Sequence, residues 1–156
     1  MTEEEKIDAG VLFWPDAPEL AAIKRRTHEL NVDYNMTHEG ETEKRQAILR
    51  QILGRMGEGV FIQGPITFHY GKHTSIGKNV FANFNFTVQD DAKVTIGDEC
   101  CFGPNVTIVT PLHPWWPPSA GPWPPPAAKP TACAGQSRCT SAATAGSGRT
   151  SPSAPA

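Results

Sequence analysis

The sequence predicts a mostly β fold, in which short strands wind into a parallel β-helix behind an N-terminal group of helices. Apolar or small residues recur at every sixth position between residues 60 and 108, which is the repeat of one strand and one turn in such a solenoid. The pair Ile76-Gly77 returns twenty residues later as Ile96-Gly97, so larger units repeat as well. After residue 114 the composition changes abruptly, and we expect the fold to end there.

Residues 1–56 are predicted to form a helical cap on the solenoid. Thr2 precedes three acidic residues and suits the N-terminal cap of a first helix. Pro18 suits the first position of a second helix, where its missing N–H would have no partner in any case. A third helix is predicted from Glu41 to Leu53. Its apolar stripe consists of Ala47, Ile48, Ile52 and Leu53.

Residues 57–114 are predicted to form the solenoid, with two sets of three apolar residues in strict phase. The series runs through Val60 and Ile66, then Ile76, Ala82 and Val88, then Ile96, Phe102 and Ile108. We expect these residues to point inward and Gly77, Gly97 and Gly103 to occupy corners, where a Cβ would often clash. A small antiparallel sheet is the other fold that the alternation permits, although the repeated Ile-Gly pair favours the β-helix.

Residues 115–156 contain no Ile, Leu, Val, Phe, Met, Tyr, Asp, Glu, Asn or His. Such a segment has almost nothing to bury, so it is predicted to be a disordered low-complexity tail. One interpretation is a Pro-rich segment that binds a partner through its tryptophans. The other is that the normal coding DNA is read in a shifted frame from near Pro114. The second is favoured, because the shifted frame permits Ile, Ile and Val six residues apart within residues 135–156.

Composition and charge exclude several classes of protein. The net charge of −2 favours neither nucleic acid nor an anionic membrane as a partner. No apolar stretch approaches the roughly 18 residues of a membrane span. The acidic N-terminus is unlike a secretory signal peptide, so a cytoplasmic protein is expected. The four cysteines lack the spacing of a zinc site, and we expect reduced thiols and no bound metal.

Short motifs distributed over residues 1–114 point to one family. They include Ala9-Gly10-Val11-Leu12-Phe13, Gly57-Glu58-Gly59-Val60, Phe68-His69-Tyr70-Gly71, Phe81-Ala82-Asn83-Phe84-Asn85, Gly103-Pro104-Asn105-Val106-Thr107 and Thr110-Pro111-Leu112-His113-Pro114. With these motifs the chain resembles the maltose and galactoside O-acetyltransferases of the hexapeptide-repeat family. The resemblance implies a left-handed parallel β-helix, a homotrimer, acetyl-CoA as co-substrate and a sugar as acceptor.

The resemblance also implies roles for individual residues. His113 matches the family's catalytic histidine, a general base that takes the proton of a sugar hydroxyl as its oxygen attacks the thioester of acetyl-CoA. Asn83, Asp91 and Asp16 match positions that contact the acceptor, where amide and carboxylate groups suit hydroxyl recognition. Asn85 is expected to be a corner residue only, since Asn tolerates a left-handed backbone.

Family members continue after the catalytic histidine with further coils, which form most of the acetyl-CoA groove. This sequence has no such repeats there, so its residues that bind acetyl-CoA are not identified. About two and a half coils are expected, with an unpaired strand edge at the open end. We therefore expect marginal stability and acetyl transfer far below that of intact relatives.

Two other functions are considered. Some hexapeptide β-helices are carbonic anhydrases that hold zinc with three histidines, and His69, His73 and His113 supply the atom type. Nothing else in the sequence matches those enzymes. The remaining alternative is a non-catalytic scaffold that keeps the cap and the subunit contacts of the family but has lost its chemistry.

Overall fold

Three helices open the chain in the computed structural model, which describes residues 1–112 and two short strands beyond them. The helices are α1 (Glu3–Ala9), α2 (Pro18–Asn35) and α3 (Thr42–Ile52). The predicted cap of α1 is confirmed, because the Thr2 hydroxyl accepts from the Glu5 N–H at 3.1 Å and the Glu5 carboxylate accepts from the Thr2 N–H at 2.8 Å. Pro18 begins α2, as predicted. In the described part of the chain, no helix is long and apolar enough to cross a membrane.

The third helix differs in detail from the prediction. Its buried face consists of Arg45, Ile48, Leu49 and Ile52. Ala47 is exposed, because at about 100° per residue it lies on the side of the helix opposite Leu49. Arg45 is only 5% exposed, and its guanidinium donates to the backbone carbonyls of Ile62 and Gln63, both at 2.7 Å. A basic residue on the inner face is therefore accommodated by carbonyl acceptors at the start of the solenoid.

Twelve short strands are described after the helices. They are β1 (Arg55–Met56), β2 (Phe61–Ile62), β3 (Ile66–Phe68), β4 (Thr74–Ile76), β5 (Phe81–Ala82), β6 (Phe86–Gln89), β7 (Val94–Ile96), β8 (Cys101–Phe102), β9 (Thr107–Val109), β10 (Pro111–Leu112), β11 (Ala134–Gly135) and β12 (Cys139–Thr140). Most of them end after two or three residues, as the six-residue repeat predicts.

The strands stack into three parallel sheets, one for each face of a solenoid. Their orders are β1-β4-β7-β12, β2-β5-β8 and β3-β6-β9, and β10 and β11 form a separate antiparallel pair. Within residues 55–109, paired strands are twenty residues apart, as in Phe61 with Phe81 and Phe81 with Cys101. The predicted parallel β-helix with an N-terminal helical cap is confirmed, and the antiparallel alternative is wrong.

Each full coil contains twenty residues, two more than three six-residue repeats alone would give. Ile76, Ala82 and Val88 are six residues apart, but Ile96 follows only after eight. The two extra residues fall between β3 and β4 in the first coil and between β6 and β7 in the second. We call this turn the third corner: residues 69–73 of the first coil and, from the last residue of β6 onward, residues 89–93 of the second. Most of the polar side chains considered below lie at this corner.

The inward-facing side chains form rows that run through the coils. One row consists of Ile62, Ala82 and Phe102, and another of Phe68, Val88 and Ile108. Val60 and Ile66 are buried, as predicted, although they belong to other rows. Ile66 pairs with Phe86, and Val60 directly precedes Phe61, which pairs with Phe81. The rows differ because each strand turns two alternate residues inward.

Polar side chains of α2 cover the free edge of the first coil. Thr27, Asn31 and Asn35 are four residues apart and therefore lie on one face of the helix. Asn31 and Asn35 each exchange two hydrogen bonds with the backbone of Phe68 and Ile66 respectively. The Thr27 hydroxyl donates to the carbonyl of Tyr70, two residues after Phe68, at 2.7 Å. These side chains take the place of a neighbouring strand and supply the terminal cap that a solenoid requires.

The opposite end of the solenoid is covered less. Among the described strands, β8 and β9 each pair with one neighbour, whereas β7 also pairs with β12 through Val94 and Cys139. Val109 and Leu112 are more than half exposed at this end. Residues 113–133, 136–138 and 141–156 lie outside the described residues. The predictions of a disordered tail and of a shifted reading frame fall there and stay predictions.

Candidate active site

The third corner is held together by the buried carboxylate of Asp90. Its Oδ1 accepts from the N–H groups of Tyr70 and Gly71 at 2.8 and 3.1 Å. Its Oδ2 accepts from the Thr74 hydroxyl at 2.8 Å. Burial raises the pKa of the Asp90 carboxyl, and the three hydrogen bonds oppose that rise. Because the Tyr70 and Gly71 donors belong to the first coil, Asp90 links the two coils and has a structural role.

Asp91 is also buried but is bonded differently. It is 3% exposed, and its Oδ2 has no hydrogen-bond partner within residues 1–112. Burial raises the pKa of the Asp91 carboxyl, while a hydrogen bond with the Gln89 side chain and the positive charge of Lys24 act in the opposite direction. A buried carboxylate oxygen without a donor in the protein can accept one from a ligand. The Asp91 carboxylate therefore retains an unused acceptor oxygen, buried at the third corner.

His73 joins α1 to the third corner. Its Nδ1 lies 2.7 Å from the Asp90 carbonyl oxygen, and because a carbonyl can only accept, Nδ1 carries the proton. Its Nε2 lies 3.6 Å from the Glu4 carboxylate of α1, which also contacts the Lys72 ammonium. Nδ1 is thus bonded to the backbone of the third corner, whereas the buried Nε2 forms no hydrogen bond within residues 1–112.

His69 packs between the cap and the first coil. Its ring centroid lies 4.8 Å from that of Tyr70, and the Tyr70 centroid lies 4.9 Å from that of His73. On its other side, His69 Nδ1 lies 3.4 Å from His28 Nε2 of α2. Burial lowers the pKa of His69 to about 4, and the positive charge of Lys24 adds to the effect. His69 is therefore neutral at physiological pH.

Lys24 brings Asp16 into the neighbourhood of the third corner. The Lys24 ammonium lies 3.6 Å from the Asp16 carboxylate, whose side chain is 63% exposed. The same positive charge acts on the pKa of both Asp91 and His69. The structure thus places two of the predicted acceptor contacts, Asp16 and Asp91, around one cation.

An open groove lies between α2 and His69. Among the residues that line it are Lys24, Arg25, His28, Glu29, Val32 and His69. Lys24 and His28 were not predicted as site residues. They are four residues apart on the outer face of α2, and such spacing alone does not distinguish a binding surface from an ordinary solvated face.

Asn83 lies at a different corner from Asp91. Its Oδ1 accepts from the Phe84 N–H at 2.8 Å in a local turn between β5 and β6. Asp91 lies beyond β6, whose four residues span roughly 13 Å at about 3.3 Å each. The structure therefore does not bring Asn83 and Asp91 together within one chain. Asn85 has a φ of +58° and donates to the Asn105 side chain at 2.8 Å, as expected for a corner residue.

His113, the predicted base, lies outside the described residues and directly follows β10 in the sequence. The chain before it is already attached to the third corner. The Thr110 N–H donates to the Gln89 carbonyl at 3.1 Å, and the Thr110 hydroxyl accepts from the Ala92 N–H at 2.9 Å. Thr110 therefore begins the same corner in a third coil, three residues before His113.

The zinc alternative gains no support from the described residues. Within them there is no group of three or more His, Cys, Asp or Glu side chains that could hold a metal ion. The Tyr70 ring contacts the rings of both His69 and His73, and Nδ1 of His73 is bonded to Asp90. Within residues 1–112, the His69 and His73 side chains therefore do not belong to a group of three or more such side chains that could hold a metal.

Comparison with known proteins gives consistent matches. The family model for the maltose acetyltransferase hexapeptide capping motif matches residues 6–57. Galactoside O-acetyltransferase of Escherichia coli (strain K12) is 38% identical over 114 residues, which is 73% of this chain and 56% of that protein.

Solved structures agree with these matches. A galactoside acetyltransferase in complex with coenzyme A is 38% identical with a TM-score of 0.69, covering 73% of this chain and 57% of that one. A hexapeptide-repeat containing acetyltransferase of Vibrio cholerae, complexed with acetyl coenzyme A, is 30% identical with a TM-score of 0.67, covering 73% and 61%.

The chain spans little more than half the length of these relatives. Within that span the sequence identity, the capping motif and the coil architecture all agree. Over the matched residues, the chain is similar in sequence and in coil architecture to the maltose and galactoside O-acetyltransferases of the hexapeptide-repeat type.

Proposed function

We propose that this chain belongs to an enzyme that transfers the acetyl group of acetyl-CoA to a sugar hydroxyl. In this reaction the hydroxyl oxygen attacks the thioester carbonyl while a base takes its proton. The tetrahedral intermediate then collapses, the C–S bond breaks, and coenzyme A leaves as the thiol once its sulfur regains a proton. The observation that carries the proposal is the 38% identity over 114 residues to a galactoside O-acetyltransferase, supported by a solved relative with bound coenzyme A.

We assign the role of the base to His113. Its support is the motif in which it stands and the attachment of Thr110, three residues earlier, to the third corner of the second coil. That corner already contains Asp91, whose buried Oδ2 has no hydrogen-bond donor among the described residues. Asp16 would contact the same acceptor from the solvent side, next to Lys24.

Asn83 requires a second copy of the chain if it shares a site with Asp91. The two residues lie at different corners, and a corner of one subunit can meet a different corner of its neighbour only when subunits pack side by side. We therefore propose the homotrimer that the family resemblance implies, with the acceptor bound between subunits. Its location would be the cytoplasm, where acetyl-CoA is available as co-substrate.

The expected level of transfer is low. The match covers 56% of the Escherichia coli protein, so the remainder of that relative has no matched counterpart in this chain. Since relatives form most of their acetyl-CoA groove from later coils, acetyl-CoA would be held here by few contacts. A chain that retains no transfer at all would act as a non-catalytic scaffold.

The proposal is tested by incubating the full chain with acetyl-CoA and a panel of galactosides, glucosides and maltose. Acetylated sugar is detected by mass spectrometry, because the exposed thiol of Cys101 would interfere with reagents that detect released coenzyme A. We expect slow acetylation that His113→Ala abolishes and that His38→Ala, an exposed control, leaves unchanged. Transfer that does not depend on His113 would contradict the assigned base, and no acetylated sugar with any acceptor would favour the scaffold.

A further inference from the structure

Two imidazole rings face each other where α2 meets the first coil. His28 Nε2 lies 3.4 Å from His69 Nδ1, with ring centroids 5.4 Å apart and ring planes at 42°. Hydrogen bonds donated by nitrogen usually have donor–acceptor distances of about 2.9–3.0 Å, so the contact between the rings is a long and therefore weak hydrogen bond. The proposed acetyl transfer assigns no role to either ring.

The separation fits two ligands of one metal ion. Zinc binds histidine nitrogens at about 2.0–2.1 Å, and two such nitrogens at a tetrahedral angle are about 3.3–3.4 Å apart. The observed distance is 3.4 Å. We infer that His28 and His69 form a two-histidine site for a divalent transition metal ion, of which Zn²⁺ and Ni²⁺ are suitable probes. This differs from the absence of metal expected from the cysteine spacing.

Charged side chains of both signs surround the pair. Among nearby cations, Lys24 lies 3.6 Å from the carboxylate of Asp16, which offsets its repulsion of a metal ion. Glu29, the residue after His28, lines the same groove as Arg25, so the groove carries an acidic group as well as basic ones.

Protein side chains alone would not fill all the coordination positions of the metal ion. Residues 1–112 provide no group of three His, Cys, Asp or Glu that could hold a metal, so the other positions would be filled by water or by oxygen atoms of a ligand in the groove. A metal bound to both rings would connect α2 to the first coil. Because it binds the folded chain at two residues that are 41 positions apart, it would also raise the unfolding temperature.

The test is a calorimetric titration of the full chain with Zn²⁺ and, separately, Ni²⁺ at pH 7.5 after alkylation of its accessible thiols. We expect one saturable site that His28→Ala weakens by about tenfold or more. His28 is exposed, so its replacement is compatible with folding, which circular dichroism checks. His69→Gln should weaken binding similarly, and His38→Ala should leave it unchanged. Zn²⁺ should raise the unfolding temperature of the wild type and not that of His28→Ala.

Three results would overturn the inference. One is equal affinity in the wild type and His28→Ala. Another is the absence of saturable binding up to a metal concentration on the order of 1 mM. The third is binding that His113→Ala abolishes while His28→Ala retains it, which would place the metal at another set of histidines.

Discussion

Asn31 and Phe68 exchange two hydrogen bonds across the boundary between the helical cap and the solenoid. The Asn31 amide donates to the Phe68 carbonyl at 2.8 Å, and its oxygen accepts from the Phe68 N–H at 3.2 Å. One side chain thus supplies both partners that a neighbouring strand would supply. Since Asn35 does the same for Ile66, the cap and the first coil fold as one unit.

Replacing Asn31 by Leu should destabilise the chain by about 2–3 kcal/mol, because the buried N–H and C=O of Phe68 would both lose their partners. The free energy of unfolding in urea measures this. Gln51→Ala is a matched control, since the Gln51 amide is exposed and bonds only to a carbonyl of its own helix at 3.4 Å. Equal stability of the two variants would show that the amide does not cap the strand edge.

Replacing Asp91 by Asn should stabilise the chain at pH 7. Burial raises the folded-state pKa of Asp91 above its ordinary value of 3.8. The carboxyl therefore favours folding most below pH 3.8 and loses that contribution as the pH rises through the raised pKa. We expect the gain in unfolding free energy from Asp91→Asn to be larger at pH 7.5 than at pH 4.

The same variant separates binding from stability. If Asp91 contacts the acceptor, Asp91→Asn should lower acetyl transfer while raising the unfolding free energy, as is common for residues of functional sites. If Asp91→Asn has a lower unfolding free energy than the wild type at pH 7.5, then burial of the Asp91 carboxylate does not destabilise the folded chain, contrary to the prediction.

His69 should make the stability of the chain fall in mild acid. Its folded-state pKa of about 4 lies below the ordinary value of 6.5, so its contribution is complete above pH 6.5 and is lost as the pH falls toward 4. The loss should amount to about 1–3 kcal/mol for this half-buried ring. Urea unfolding with EDTA at pH 7.5, 5.5 and 4.5 should show a weaker pH dependence in His69→Gln, with His38→Gln as control. Parallel curves for His69→Gln and the wild type would contradict the prediction.

Gly71 should not tolerate a side chain. Its φ is +70°, and a Cβ there would lie 2.5 Å from the Ile52 carbonyl oxygen. Gly71→Ala should therefore cost about 2 kcal/mol or more, since both the backbone conformation and the contact with α3 are unfavourable. Gly40→Ala is the control, because nothing lies within 4 Å of a Cβ at that position. Thermal unfolding of the two variants compares them, and similar melting temperatures would contradict the prediction.

The repeat and the helix signals could be read from the sequence because they are local. The six-residue spacing, Thr2 and Pro18 each reflect one strand, one cap or one turn. The twenty-residue coil was partly visible in the repeated Ile-Gly pair. The row to which Val60 belongs could not be read, because two alternate positions of each strand face inward.

The candidate site was harder to predict because its parts are distant in the sequence. His28 meets His69 across 41 positions, and Asp90 bonds Tyr70 across twenty. The spacing of Asn31 and Asn35 was visible, but only the docking of α2 on β3 shows that their amides cap a strand edge. Family resemblance named Asp91 as an acceptor contact, and the structure adds that one of its buried carboxylate oxygens has no donor among the described residues.

The most direct test of the proposed function joins residues 1–114 of this chain to the residues that follow the matched region in the Escherichia coli galactoside O-acetyltransferase. The rate of acetyl transfer from acetyl-CoA to a galactoside is then measured for this chimera and for its His113→Ala variant. If residues 1–114 of this chain carry the acceptor site and the base, the chimera should acetylate the sugar. His113→Ala should then lower the rate of transfer by about 10²–10⁴-fold. A folded chimera that transfers no acetyl group, or one whose rate does not depend on His113, would contradict the proposal.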